Sequence, residues 1–238
     1  MISVIMPAYN EEEIIEEAII RTAEILKSLN SGWEIVVVDD GSTDSTFNRA
    51  NKLRKIYKNK LKVYSYNRNR GKGFALKYGF ERSNGDPVVF LDSDLDIDPS
   101  AIKYFIKILN TNGVDVVVGS KRHPMSNVEY PLKRRVLSDI YFLMTKIMFN
   151  LNVKDTQVGL KAFRRRVLED VMPRILVKRY AFDVELLANA IRRGYRVVEA
   201  PINLNFKFNS HINWMEIYRM FLDTLAIAYR MYIRRYYD

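Results

Sequence analysis

Val88-Val89-Phe90-Leu91-Asp92-Ser93-Asp94 is the stretch on which the fold turns. Its four apolar residues, preceded by Gly85 and Pro87, have the continuous hydrophobicity of a strand covered on both faces, as in a parallel sheet. Acids follow at once, and open α/β sheets bind ligands beyond the carboxyl ends of their strands. Asp92 and Asp94 are thus placed to grip one hard cation, with Asp96 as a third candidate ligand. The same letters also suit a solvated acidic turn before the helix that Pro99 begins, and the motif alone leaves both open.

Composition narrows the chemistry. With 48% hydrophobic residues in 238, the chain can fill the core of one α/β domain. It has no cysteine, which removes disulfides, thiolate metal sites and cysteine nucleophiles, and only His123 and His211 supply imidazoles. A metal would therefore be held by oxygen. The net charge of +10 points to an anionic partner: nucleotide phosphates, an anionic membrane surface or nucleic acid. The chain enters directly into Ile2-Ser3-Val4-Ile5-Met6, without the pattern of a signal peptide, so the expected location is the cytoplasmic face.

Around the central strand the elements alternate. Ile2 to Met6 reads as a strand ended by Pro7, and Asn10 with Glu13 as a capping box for a helix whose inner face is Ile15, Ala18, Ile19, Thr22, Ala23 and Leu26. Glu34 to Val38 and Lys62 to Tyr66 are further strands, and Phe74 to Arg82 is a helix returning to the centre. The alternation predicts a mostly parallel, Rossmann-like sheet flanked by helices. Between Tyr66 and Phe74, Arg68, Arg70 and Lys72 sit beside Gly71 and Gly73, a loop suited to a diphosphate or, equally, to a solvated basic turn. It fits neither the Walker nor the dinucleotide fingerprint. After the acids come a helix carrying Ile102, Phe105, Ile106 and Leu109, and a strand over Val114 to Gly119.

Pro7-Ala8-Tyr9-Asn10-Glu11, Val37-Val38-Asp39-Asp40-Gly41-Ser42-Thr43-Asp44, Asn69-Arg70-Gly71-Lys72-Gly73, Asp92-Ser93-Asp94 and Gly119-Ser120-Lys121 together resemble, in order and spacing, the motifs of family 2 glycosyltransferases. The likeness is to the dolichyl-phosphate mannose synthase and dolichyl-phosphate glucose synthase branch, and it runs on through Asp155-Thr156-Gln157-Val158-Gly159-Leu160-Lys161 and Phe182-Asp183-Val184-Glu185. The resemblance implies a GT-A fold, a nucleoside-diphosphate sugar donor, Mg²⁺ or Mn²⁺, and a polyprenyl-phosphate lipid as acceptor. It assigns Pro7, Ala8, Tyr9, Glu11, Asp40 and Gly41 to the nucleotide, Arg70, Lys72 and Ser93 to the nucleotide sugar, and Asp92, Asp94 and Asp96 to the metal. Lys121, Arg134 and Ser138 inherit the acceptor phosphate, with Lys121 standing where the family has Arg, and Arg134 joins Asp92, Asp94 and Asp183 as a catalytic candidate. Gln157 and Asp183 are sugar-binding candidates. Asp183 also stands where hydroxyl-using relatives have their catalytic acid, and a helix N-cap role competes with that. The Asp-Thr-Gln and Phe-Asp-Val-Glu motifs tilt the donor toward UDP-glucose over GDP-mannose.

Two further segments bear on the acceptor. The helix 134–150 carries Leu137, Ile140, Leu143, Met144, Ile147 and Met148 among others, more apolar surface than one core stripe needs. From Trp214 the chain is again rich in aromatics and aliphatics, but Glu216, Arg219, Asp223 and Arg230 interrupt it too often for a span of roughly 20 apolar residues. The expected organisation is a catalytic domain over 1–213 and a C-terminal amphipathic helix over 214–238, both helices lying at a membrane surface. The competing arrangement packs them on the sheet or on a second subunit of a homo-oligomer. A family 2 enzyme acting on a saccharide hydroxyl is the alternative function. A nucleic-acid-binding module is a remoter one, disfavoured because no RNA-binding signature is present and the acids at the strand ends repel phosphate. The run Arg164-Arg165-Arg166 reads as a solvated basic face.

Overall fold

The computed structural model describes residues 1–128, 132–179, 181–204 and 214–238, with the side chains of 132–136 and of Trp214 outside the description. Its centre is a seven-stranded sheet. The first half alternates β1 (Ile2–Ala8), α1 (Ile15–Lys27), β2 (Trp33–Asp39), α2 (Thr46–Lys52), α3 (Arg54–Tyr57), β3 (Leu61–Ser65), α4 (Lys72–Phe80) and β4 (Val88–Leu91). The second half adds α5 (Ala101–Leu109), β5 (Val116–Ser120), β6 (Asn127–Val128), α6 (Leu132–Phe149), β7 (Leu160–Phe163), α7 (Arg165–Val171), α8 (Phe182–Arg192), β8 (Val197–Pro201), β9 (Asn203–Leu204) and α9 (Trp214–Ala228), the last continued by a π-helical turn over Tyr229–Ile233. In space the strands run β3-β2-β1-β4-β7-β5-β8, while β6 and β9 pair separately. All neighbours in the large sheet are parallel except β7, which is antiparallel to both β4 and β5. The mostly parallel α/β architecture expected from the strand at 88–91 is thus the one present.

That architecture follows from burial on two faces. Along β1, Ile5 faces one core while Val4 and Met6 face the other, and along β4 Val88 and Phe90 alternate with Val89 and Leu91 in the same way. One layer is built on α1 and α5, whose Ile15, Ala18, Ile19, Ala23, Leu26, Ile102, Phe105 and Leu109 are buried. The opposite layer holds α4, α7 and α8, and Ile227, Met231 and Tyr237 from the C-terminal segment join it. Among the described residues no helix is long and apolar enough to cross a membrane.

Several local expectations are corrected. Pro7 does not end β1: it stays in register with Val38. Asn10 and Glu13 form no capping box, because Ile14 occupies the N-cap of α1 without a side-chain cap. Asn10 instead takes a left-handed backbone (φ 55°) and its Oδ1 accepts the Thr43 amide at 2.9 Å, tying the loop after β1 to the loop after β2. Of the arginine run only Arg166 keeps a solvated side chain, 70% exposed, while Arg164 and Arg165 are half-buried. Arg164 donates to the Leu109 carbonyl (2.7 Å), Arg165 to those of Ser83 (3.0 Å) and Gly85 (3.1 Å), and Arg166 pairs with Asp115 at 2.5 Å.

The close approach of α4 to the sheet gives a direct test. A Cβ on Gly79 would meet Ile5 Cγ2 at 2.5 Å and Val38 Cγ2 at 3.1 Å. Helix propensity favours Gly79→Ala by about 1 kcal/mol, whereas overpacking costs about 1–3 kcal/mol. Urea unfolding of Gly79→Ala is expected to show a lower midpoint than the parent, and a higher midpoint would mean that α4 sits farther from the sheet.

Candidate active site

The strand order places the site. After β1 the chain winds outward through β2 and β3, then returns to β4 on the other side of β1, so the carboxyl ends of β1 and β4 open a crevice between diverging loops. Pro7 and Ala8 are buried at the end of β1, Tyr9 is exposed above them, and Ser93 Oγ donates to the Pro7 carbonyl at 3.0 Å, locking the two strand ends together. Glu11 is fixed through its amide, which donates to Thr46 Oγ1 at 2.8 Å.

Beside this crevice stands the glycine loop. Asp40, expected to meet the nucleotide, is buried and spends its carboxylate inside the protein: it accepts the amides of Arg70 (2.8 Å) and Gly71 (2.9 Å) and the Tyr66 hydroxyl (2.6 Å). The strand-end acid therefore shapes the basic loop. Position 41 requires glycine twice over, since its φ of 70° is left-handed and a Cβ there would run into the backbone of Arg68. The loop then aims Lys72 Nζ at Asp92, 2.6 Å from Oδ1 and 2.7 Å from Oδ2, while the guanidinium of Arg70 lies 3.7 Å from the centre of the Phe74 ring. Although burial opposes it, the charges of Asp92 and Asp183 hold the Lys72 ammonium well above its ordinary pKa.

Asp92 can lie where it does because residue 159 is glycine. A Cβ on Gly159 would overlap the Asp92 carboxylate, and the Asp92 amide donates to the Gly159 carbonyl at 3.1 Å. Asp94 sits deeper in charge: burial first, then the neighbouring Asp92, push its carboxyl up to about 6. Its Oδ1 accepts the Asp96 amide at 3.0 Å. Asp92, Asp94, Asp96, Lys121, Gln157 and Gly159 together line a cavity of about 130 Å³, and the buried Gln157 Nε2 has no hydrogen-bond partner among the described residues.

These residues fit a hard divalent cation shared with a diphosphate. Two carboxylates crowded enough to raise one of them are what such an ion relieves, and phosphate oxygens can complete its shell. Among the described residues no group of three or more acids and histidines converges, so Asp96 is not gathered with Asp92 and Asp94 into a ready-made cage.

The other candidates are held by partners of their own. Lys121 is anchored by Asp155, whose Oδ2 accepts its amide (3.1 Å) and lies 3.4 Å from its Nζ, while Asp155 Oδ1 accepts the Gln157 amide (3.1 Å). Ser138 accepts from Arg122 at 3.2 Å. The side chains of Lys133, Arg134 and Arg135 lie outside the described residues, as does His211. Asp183 is not a helix N-cap. Ala181 holds that position, and Asp183, in the first turn of α8, is buried against Lys161 Nζ at 2.7 Å. Lys161 also donates to the Val158 carbonyl at 2.6 Å, and its burial, countered by Asp183, lowers its pKa.

The family model described as Glycosyl transferase family 2 matches residues 3–172. The chain belongs to the family 2 glycosyltransferases. Among its relatives, Glycosyltransferase AglD of Haloferax volcanii is 30% identical over 89% of this chain and 34% of its own length. Dolichyl-phosphate beta-glucosyltransferase of Saccharomyces cerevisiae is 33% identical over 85% of this chain and 66% of its own. Dolichyl-phosphate beta-glucosyltransferase ALG5D of Trichomonas vaginalis is 32% identical over 98% of this chain and 75% of its own. The chain thus spans about a third of the first relative and 66% of the second. Glucosyl-3-phosphoglycerate synthase from Mycobacterium tuberculosis, solved in complex with Mn²⁺, UDP and phosphoglyceric acid, superposes with a TM-score of 0.73 at 24% identity, covering 96% of this chain and 77% of that one. The fold of the family 2 domain is therefore GT-A.

The motif from Asp155 to Lys161 is legible in the sequence, but the separate roles of Asp155, Gly159 and Lys161 within it are set by partners outside it. The signal was there: a lysine in the middle of an apolar strand needs a buried acid, and Asp183 is that acid. Lys161→Met is expected to destabilise the fold by roughly 3–5 kcal/mol, because it strands a buried carboxylate. Calorimetry should show Lys161→Met with Asp183→Leu recovering most of that loss; equal loss in single and double variants would mean the pair is not coupled.

Proposed function

We propose that the protein transfers glucose from UDP-glucose to a polyprenyl (dolichyl) phosphate, inverting the anomeric centre to give a β-linked lipid-phosphate sugar. The observation that carries the reading is the pairing of a charge-crowded Asp92 and Asp94 with Lys72 at the switch point of a family 2 domain. Relatives named as dolichyl-phosphate beta-glucosyltransferases support the donor sugar and the acceptor.

The chemistry asks little of the protein beyond positioning and charge. A phosphate oxygen of the acceptor attacks the anomeric carbon as the bond to UDP breaks, and negative charge grows on the departing diphosphate. Lys72, paired with Asp92, and Arg70 on the same loop are the cations assigned to meet that charge. Asp92 and Asp94 would hold Mg²⁺ or Mn²⁺, which supplies further neutralisation of the diphosphate when bound. Mn²⁺ and UDP in the mycobacterial synthase support this choice. Because the acceptor phosphate is already ionised at neutral pH, no general base is required. Asp183, neutralised by Lys161, is then a positioning group, and the side-chain amide of Gln157, on the cavity wall, is the candidate for a sugar hydroxyl.

A lipid acceptor requires approach to a bilayer. On α6, Ile140, Leu143 and Ile147 are exposed while Phe149 is buried, and on α9, Tyr218, Leu222 and Leu225 are exposed while Ile227 is buried. Tyr141 and Thr224 hydrogen-bond across the two helices at 3.1 Å. Each helix thus spends one stripe on packing and keeps a second apolar stripe free, which supports a placement at the membrane surface.

Incubation with labelled UDP-glucose or GDP-mannose, Mg²⁺ or Mn²⁺ and polyprenyl phosphate should move label into the organic phase from UDP-glucose; label moving only from GDP-mannose, or only into water-soluble saccharide, refutes the assignment. In the same assay Asp94→Asn is expected to lose at least about 100-fold in turnover, and near-parental turnover would remove Asp94 from the site. Leu143→Ser with Leu222→Ser should weaken flotation with anionic liposomes while leaving the stability unchanged; undiminished flotation would separate these helices from the membrane.

A further inference from the structure

Glu185 lies outside the donor cavity, yet its carboxylate is the most heavily shared acceptor on this side of the sheet. It is fully buried on α8. Oε2 accepts the backbone amides of Leu176 (3.1 Å) and Val177 (2.7 Å). Oε1 accepts Arg230 Nη2 (3.1 Å) and the Tyr237 hydroxyl, and Arg230 Nε in turn donates to the Tyr237 oxygen at 2.9 Å. Four donors satisfy one buried charge, the condition under which such a group holds a single geometry.

The two segments it joins have different consequences. Leu176 and Val177 lead directly into Lys178, whose carbonyl accepts the Phe74 amide at 3.2 Å, in the first turn of α4. That carbonyl stands 2.5 Å from where a Cβ on Gly71 would be, and Phe182 Cγ stands 2.5 Å from the corresponding point on Gly73. Lys178 and Arg179 therefore press on Gly71, and Phe182 of α8 presses on Gly73, so both glycines that flank Lys72 are held from this side. Arg230 and Tyr237 belong to the C-terminal segment, which continues the helix bearing the exposed apolar stripe.

We infer that Glu185 is a positioning residue that clamps the segment Leu176–Arg179 onto the donor loop Gly71–Phe74, and that Arg230 and Tyr237 complete the clamp from the C-terminal segment. The C-terminal segment is then part of the donor site's support as well as a candidate membrane contact. Glu185 can serve both sides only as a carboxylate: an amide offers one acceptor oxygen where two are used.

Tyr237→Phe and Glu185→Gln test this, with Ile19→Val in the opposite core layer as a control for lost stability alone. Amide exchange of Phe74 and Val177 in the free protein is expected to speed up about tenfold in Tyr237→Phe and more in Glu185→Gln, and the Kd for UDP with Mn²⁺ to rise about threefold to tenfold. Ile19→Val should move neither selectively. Unchanged exchange at Phe74 and Val177, or the same changes in Ile19→Val, would overturn the inference. Should Glu185→Gln fail to fold, Tyr237→Phe decides alone. The exchange readout needs no ligand, so it distinguishes failure of the clamp from failure of the donor assignment.

Discussion

Crowding of negative charge at the carboxyl end of β4 is the constraint around which this molecule is arranged. Two aspartates one residue apart, with one of them buried enough to rise to about 6, cannot be left uncompensated. The fold answers with Lys72, and the geometry of that answer reaches a long way. Lys72 is aimed by a glycine loop, the loop is held by Asp40, and Asp92 finds room only because Gly159, just before the neighbouring strand β7, has no side chain. Beneath this layer, Lys161 and Asp183 form a second, fully enclosed pair. Charge alternates from Asp92 to Lys72 to Asp183 to Lys161, so each group is stabilised by opposite neighbours in a region of low dielectric.

The insertion of β7 between β4 and β5 makes that lower pair possible. Running antiparallel to both neighbours, β7 begins at the site end of the sheet, so that Gly159, just before it, lines the cavity and Lys161 within it meets Asp183. A purely parallel strand would present its amino-terminal residues at the far end of the sheet. The one reversed strand in an otherwise parallel sheet is therefore a functional feature of the site.

What the sequence makes legible is the part governed by short-range pattern. β4 and its acids, the inner face of α1 from Ile15 to Leu26, and the order of the glycosyltransferase motifs are all local in the chain, and burial periodicity exposes them. What it hides depends on partners far away in sequence. Asn10 carries the letter of a helix cap, yet its side chain serves Thr43 in the loop after β2, which only the adjacency of β1 and β2 decides. Asp40 occupies a ligand-facing motif, yet its carboxylate is consumed by amides 30 and 31 positions away. In the Arg164–Arg166 run, which looks like a solvated surface, Arg164 and Arg165 are half-buried and tied to backbone carbonyls, and only Arg166 stays exposed, paired with Asp115. Glu185 and Tyr237, 52 positions apart, show no sequence signal of their contact at all.

The central claim is that Asp92, Asp94 and Lys72 form a cation-assisted diphosphate site. Calorimetric titration with UDP, in Mn²⁺ and again in chelator, on the parent and on Asp94→Asn, tests it without requiring turnover. The account predicts UDP affinity in the parent that falls at least tenfold when the cation is chelated, and a much smaller cation dependence in Asp94→Asn. Equal affinity in Mn²⁺ and in chelator, or an undiminished cation dependence in Asp94→Asn, would contradict it.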